Sequence, residues 1–332
     1  MKELKGLKDI VMGNLYISII KGVIMLERTM KQVLSKKVNA WLKTITDEEV
    51  VKAIKKDLII TGGCFTSMIQ NEVPKDFDCY FATKETAILV AQYYIGLWDE
   101  SKYEVFIVDG ESDPRASQYN VAPDRVKIIV QSQGVLGNPN AVGSSEEFGS
   151  NVNDIIAEID ETAADEIISE EKRGFFPVFM SSNAITLSNG IQIVVRFYGE
   201  PAQIHDTYDF VHTKAYWRMK DNELVIPTEV YECVVNKTLI YTGSKYPVCS
   251  IFRVRKFINR GWRINAGQLL KMCMQVSELD LQNVAVLEDQ LIGVDSAYFM
   301  HLISMFRERQ AKDDGFVLST GYILSVIDKV FG

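Results

Sequence analysis

The 332-residue sequence predicts an α+β fold, a mixed sheet with flanking helices followed by a mainly helical C-terminal domain. Three observations carry that expectation. Short apolar runs bounded by turn residues recur between residues 57 and 211 and read as strands. Apolar residues three and four apart before residue 56, and again from Thr83 to about Trp98, read as helices. From about Pro227 to the end the character is mostly helical. The implied organisation is a helical lead-in over 1–55, a sheet domain over 56–215 with an insertion at about 102–183, and a helical domain over 216–332.

Taken in order, Leu26, Met30, Leu34, Val38, Trp41 and Leu42 mark the buried stripe of the lead-in. The apolar run Ile10–Leu26 reads as part of a buried helix rather than a targeting or membrane segment. Asn14, Lys21 and two glycines interrupt it, and no small-residue cleavage site follows. Residues 57–60 form a strand that stops at Gly62-Gly63, and Phe77–Phe81 is the next strand. Thr83 caps the following helix, whose inward residues are expected to include Ile88, Leu89, Ile95 and Trp98. Tyr103–Val108 and Val126–Gln131 read as strands and Gly134–Ser145 as a loop. Glu146–Glu171 holds ten acidic residues and no basic one on a helical background of isoleucines. Such a run is ordinarily a solvated helix face, and it also suits shielding a basic site or binding a basic partner. Ser188-Asn189-Gly190 between Ala184–Leu187 and Ile191–Phe197 is a hairpin signal, and Tyr208–Val211 is a further strand candidate.

Composition removes several function classes. With 47% hydrophobic and 24% charged residues the chain has the material for a core, and disorder is excluded. A net charge of -8 excludes polyanion binding through a uniformly basic surface, so such contact needs a local patch or bound metal. The patch exists: between Ile251 and Lys271 lie Arg253, Arg255, Lys256, Arg260, Arg263 and Lys271 with no acid among them. Five scattered cysteines without a C-x-x-C pair and three histidines without H-E-x-x-H argue against a disulfide framework and against zinc. The chain is therefore expected inside a cell.

The chemistry concentrates in Leu58–Phe81. In Asp76-Phe77-Asp78 the strand period of two puts both carboxylates on one face and sends Phe77 and Cys79 to the core. Adjacent carboxylates repel, and a hard divalent cation such as Mg²⁺ compensates them. The glycine pair lets backbone amides approach an anion such as a triphosphate, with Thr66 and Ser67 as hydroxyl donors. Cys64 and Cys79 are expected to be small buried hydrophobes, His205 and His212 ordinary polar residues, and Trp217 and Trp262 core or interdomain residues rather than base-stacking ones.

In these residues the chain resembles the DNA polymerase β-like nucleotidyltransferase superfamily, phage-encoded type. That signature is a hydrophobic residue, Gly-Gly or Gly-Ser, roughly nine to thirteen residues, then Asp-x-Asp between hydrophobic residues. Here twelve residues, Cys64 to Lys75, separate Gly63 from Asp76, and the strand reads DFDCYF. The resemblance covers about residues 56–100 and 184–265, and implies a nucleotidyltransferase-like sheet domain. It implies Asp76, Asp78 and a third carboxylate as metal ligands and catalytic residues; Asp209 is the candidate and Asp206 the fallback. It places Gly62, Gly63, Thr66, Ser67, Arg253, Lys256 and Arg260 at the nucleotide. The implied reaction uses Mg²⁺ or Mn²⁺ to move a nucleoside monophosphate from a nucleoside triphosphate to an acceptor hydroxyl on RNA, a small molecule or a protein. No membrane partner is implied, the setting is the host cytoplasm or a virion, and the oligomeric state stays open. The competing expectation is a non-catalytic structural or interaction protein, viral in origin, built on the same fold.

Overall fold

A computed structural model describes residues 25–97, 103–119, 121–132, 174–291, 297–312 and 319–331. The run Ile10–Leu26 up to residue 24, Trp98, the loop Gly134–Ser145 and the acidic segment Glu146–Glu171 lie outside the described residues. The chain divides into two compact units. The described residues up to 132, together with 174–206 and 211–236, form the first; 207–210 and those from 237 onward form the second.

The first unit begins with α1 (Glu27–Leu42), which buries Met30, Leu34, Val38, Trp41 and Leu42. Asp47 caps α2 (Glu48–Asp57) by accepting the amide hydrogens of Glu49 and Val50. The chain then runs through β1 (Leu58–Thr61), the short helix α3 (Gly63–Ile69), β2 (Phe77–Phe81) and α4 (Lys84–Ile95). Thr83 caps α4 by accepting from Thr86 N. The buried face of α4 is Thr86, Ala87, Val90, Ala91 and Tyr94, with Ile88, Leu89 and Ile95 half-buried, so the helix is rotated from the expected orientation. Small residues at 87 and 91 admit a close approach, and Tyr94 Oη accepts a 2.6 Å hydrogen bond from Trp41 Nε1 of α1. Strands β3 (Tyr103–Asp109) and β4 (Val126–Ser132) pair antiparallel as a sheet of their own.

The main sheet is completed by β5 (Pro177–Met180), β6 (Ala184–Leu187), β7 (Ile191–Val194), β8 (Tyr216–Arg218) and β9 (Glu223–Val225). Its seven strands run β5-β6-β7-β2-β1-β8-β9, mixed because β2 and β7 are parallel and the other pairs antiparallel. Register separates its faces. Ile185, Ile193, Cys79, Ile60 and Trp217 stand opposite one another across five strands and all are buried. The β6–β7 turn carries Asn189 at φ 66 and Gly190 at φ 70, the left-handed geometry that the Asn-Gly pair anticipates. Helices α5 (Pro201–His205) and α6 (Thr228–Val235) complete this unit.

The second unit contains the parallel pair β10 (Thr238–Leu239) and β11 (Arg263–Ile264), and helices α7 (Pro247–Asn259), α8 (Ala266–Val276), α9 (Val284–Leu291), α10 (Ala297–Lys312) and α11 (Thr320–Phe331). Val284, Leu287, Leu291, Ile303, Phe306 and Val326 form one of its cores, against which Val248 and Phe252 of α7 pack. Tyr208–Val211 is not a strand. It makes a single bridge, Phe210 to Tyr241, and Thr242 N donates to Asp209 O before a 3₁₀ turn begins at Val211. Pairing fails to propagate because the chain leaves the second unit after Phe210. Among the described residues no helix is long and apolar enough to cross a membrane.

Candidate functional site

The site is built where β1 ends. Gly62 takes φ 95 and ψ -149, a conformation closed to other residues, while its amide donates to Thr213 O at 3.2 Å. Gly63 is exposed, and a Cβ there would meet nothing within 4 Å, so its backbone is open to a ligand.

Beside the turn, Asp78 stands in register with Thr61 on one flank and Gln192 on the other. The row continues to Thr186 on β6 and Tyr216 on β8. In-register neighbours share a sheet face, so Thr186, Gln192, Asp78, Thr61 and Tyr216 form a polar row opposite the apolar one. Asp76, two residues before Asp78, is exposed and Asp78 is half-buried. Both carboxylates reach the Cys64 thiol electrostatically: burial pushes it well above its ordinary pKa, and Asp78 then Asp76 push it further. Because Cys64 follows Gly63, the carboxylates and the glycine turn occupy one end of the sheet. The Cys79 thiol is likewise raised, by burial first and Asp78 second.

Two contacts hold this end in place. Thr61 Oγ1 donates to Ala215 O at 2.7 Å, which leaves it to accept from His205 Nε2 at 2.8 Å. His205 is held neutral, its pKa lowered to about 4 by burial and then by Lys214, against an opposing pull from Asp206. The hairpin turn supplies the other: Gly190 lies so close to the segment before β2 that a Cβ would fall 2.3 Å from Lys75 O.

Of the remaining expected residues, Thr66 is buried and its hydroxyl donates to His212 O at 3.1 Å, whereas Ser67 is half-exposed. Asp206 is exposed at the end of α5. In the second unit Asp209 is buried, and its Oδ2 accepts from Ser250 Oγ at 2.9 Å and Arg253 Nη1 at 2.6 Å. Lys256 and Arg260 are exposed, the latter 5.9 Å from the Phe257 ring. Among the described residues no group of three or more His, Cys, Asp or Glu is placed to hold a metal ion. The donors of the sheet face are all oxygen and include two carboxylates, a set that fits a hard divalent cation. The sequence reading took His205 for an ordinary polar residue without its Thr61 contact, and it passed over the Gln192 position. Only the period-two alternation of Ile191-Gln192-Ile193, a polar residue between buried ones, signalled that position.

Fold and site define an α+β protein in which the strand of Asp78 pairs beside a glycine turn. The model of the Gabija anti-defense 2 (Gad2) family matches residues 32–237, more than half of the chain, and the protein belongs to that family. No curated protein matches it. Among solved structures it is similar to the Thermotoga maritima CCA-adding enzyme complexed with tRNA, at 12% identity and a TM-score of 0.37. That match covers 83% of this chain and 54% of the other, so the chain spans about half the length of that protein.

Proposed function

We propose that this protein is a metal-dependent nucleotidyltransferase that acts against host defence. It moves a nucleoside monophosphate from a nucleoside triphosphate to an acceptor hydroxyl on RNA, a small molecule or a protein. The observation that supports this most is the register of Asp78 with Thr61, the residue just before the Gly62-Gly63 turn. Asp76 and Asp78 hold Mg²⁺ or Mn²⁺, and the exposed backbone at Gly63 receives the phosphates. When bound, the metal lowers the pKa of the attacking hydroxyl and offsets charge on the leaving pyrophosphate. Ser67 adds a hydroxyl donor, and on the second unit by itself the exposed Lys256 and Arg260 suit a polyanionic acceptor. Arg253 and Asp209, also of the second unit, are committed to each other by their ion pair. The family description, Gabija anti-defense 2, supports reading the acceptor as a component or product of that defence.

Incubation with α-labelled nucleoside triphosphates and Mn²⁺ or Mg²⁺, against RNA, small-molecule and protein acceptors, tests this. Label transfer that Asp76→Asn and Asp78→Asn each lower by about a hundredfold or more supports it. No transfer to any acceptor class, with no Mn²⁺ bound, ends it. The commitment of Asp209 to Arg253 and Ser250 favours the second reading, a non-catalytic interaction module. On that reading Asp76→Asn keeps its counter-defence effect.

A further inference from the structure

The carboxylate pair is incomplete as a cation site. Two carboxylates rarely supply all the oxygen donors that a hard divalent ion takes, and among the described residues no third His, Cys, Asp or Glu joins them. The sheet register decides what stands closest. Parallel neighbours lie about 4.8 Å apart, and the two residues in register with Asp78 are Thr61 and Gln192. Thr61 is fully buried, with its hydroxyl donating to Ala215 O and accepting from His205, so that flank is closed. Gln192 is half-exposed and shares the face of Asp78. Its strand is otherwise Ile191, Ile193 and Val194, all buried, so the one polar residue of β7 occurs at the position beside Asp78.

The geometry points to Gln192 as the neutral third oxygen donor of the Asp76–Asp78 cation site, through its side-chain carbonyl. This rests on the reading that the two carboxylates hold a divalent cation. Its chemical consequence is a site with two negative charges rather than three, which a single divalent ion neutralises. Such a site binds metal less tightly than a three-carboxylate one and depends more on nucleotide phosphates to complete the shell. Ligand charge count then gives substitutions at 192 opposite signs. Gln192→Ala removes a donor, and Gln192→Glu keeps an oxygen in place and adds a charge.

Mn²⁺ binding to the full chain, followed by the loss of the free-ion electron paramagnetic resonance signal, reads this directly without turnover. Wild type, Gln192→Ala, Gln192→Glu and Asp78→Asn are compared, with circular dichroism melts to show that each is folded. We expect Gln192→Ala to weaken Mn²⁺ binding about tenfold and Gln192→Glu to tighten it by a similar factor. Tightening is a result that a merely structural role for Gln192 does not produce, so Gln192→Glu carries the test if Gln192→Ala fails to fold. Wild-type Mn²⁺ affinity in both Gln192 variants, with binding lost in Asp78→Asn, overturns the assignment and leaves the carboxylate site standing. Wild-type affinity in Asp78→Asn removes the site on which the assignment rests.

Discussion

Thr61 is the residue through which the site is anchored, because its single hydroxyl links β1 both to Ala215 O and to His205. Holding a neutral imidazole there has an acid cost. The folded pKa of His205 is about 4 against an ordinary 6.5. Between these values the unfolded chain takes up a proton that the folded chain refuses, so the contribution is whole above pH 6.5 and declines as pH falls toward 4. The ring is partly solvated, which limits the effect to about 1–2 kcal/mol. His205→Asn removes that component: urea midpoints of the variant should fall less than those of wild type between pH 7 and pH 4.5. Parallel pH profiles would refute it. The carboxylates were legible because a strand's alternation follows from adjacent letters. The His205–Thr61 contact spans 144 positions, and no local pattern encodes it.

At the scale of elements, the β6–β7 hairpin braces the start of β2. Gly190 combines a φ of 70 with a Cβ position 2.3 Å from Lys75 O, so Gly190→Ala meets both backbone strain and a backbone clash. A loss of about 1–3 kcal/mol in thermal unfolding is expected, together with weaker Mn²⁺ binding as Asp76 shifts. Gly63→Ala is the informative contrast. Its added methyl meets nothing within 4 Å, so the variant should melt with wild type and yet bind nucleoside triphosphate less well. A variant that binds nucleotide normally argues against close backbone approach at Gly63. This hairpin, α1, β1, β2 and the Thr83 cap were readable, since each is stabilised by residues near in sequence. Strands β8 and β9 have three residues each, too few to show a period, and exist through pairing with β1 and with each other. Tyr208–Val211 failed in the opposite sense: its alternation suits a strand, but only Phe210 finds a bridging partner.

Across the whole molecule, the net charge of -8 conceals a division of labour. Acids on the sheet face belong to the first unit, and the exposed Arg255, Lys256, Arg260, Arg263 and Lys271 belong to the second. Composition made the basic stretch visible, yet it could not show that Arg253 differs from its neighbours by pairing with Asp209, 44 positions earlier. Asp209 lies in Thr207–Phe210, the short excursion of the chain into the second unit, so its ion pair ties that excursion to α7. Arg253→Ala leaves a buried carboxylate with Ser250 as its remaining donor among these two, a change worth on the order of 2 kcal/mol. Amide exchange in α7 and at Thr242 should accelerate, with β1 and β2 unchanged. Lys256→Ala, on the solvent side of the same helix, should leave exchange alone and weaken binding of nucleotide or acceptor, more so at low salt. If Arg253→Ala instead leaves exchange untouched and lowers nucleotide affinity as Lys256→Ala does, Arg253 serves the ligand.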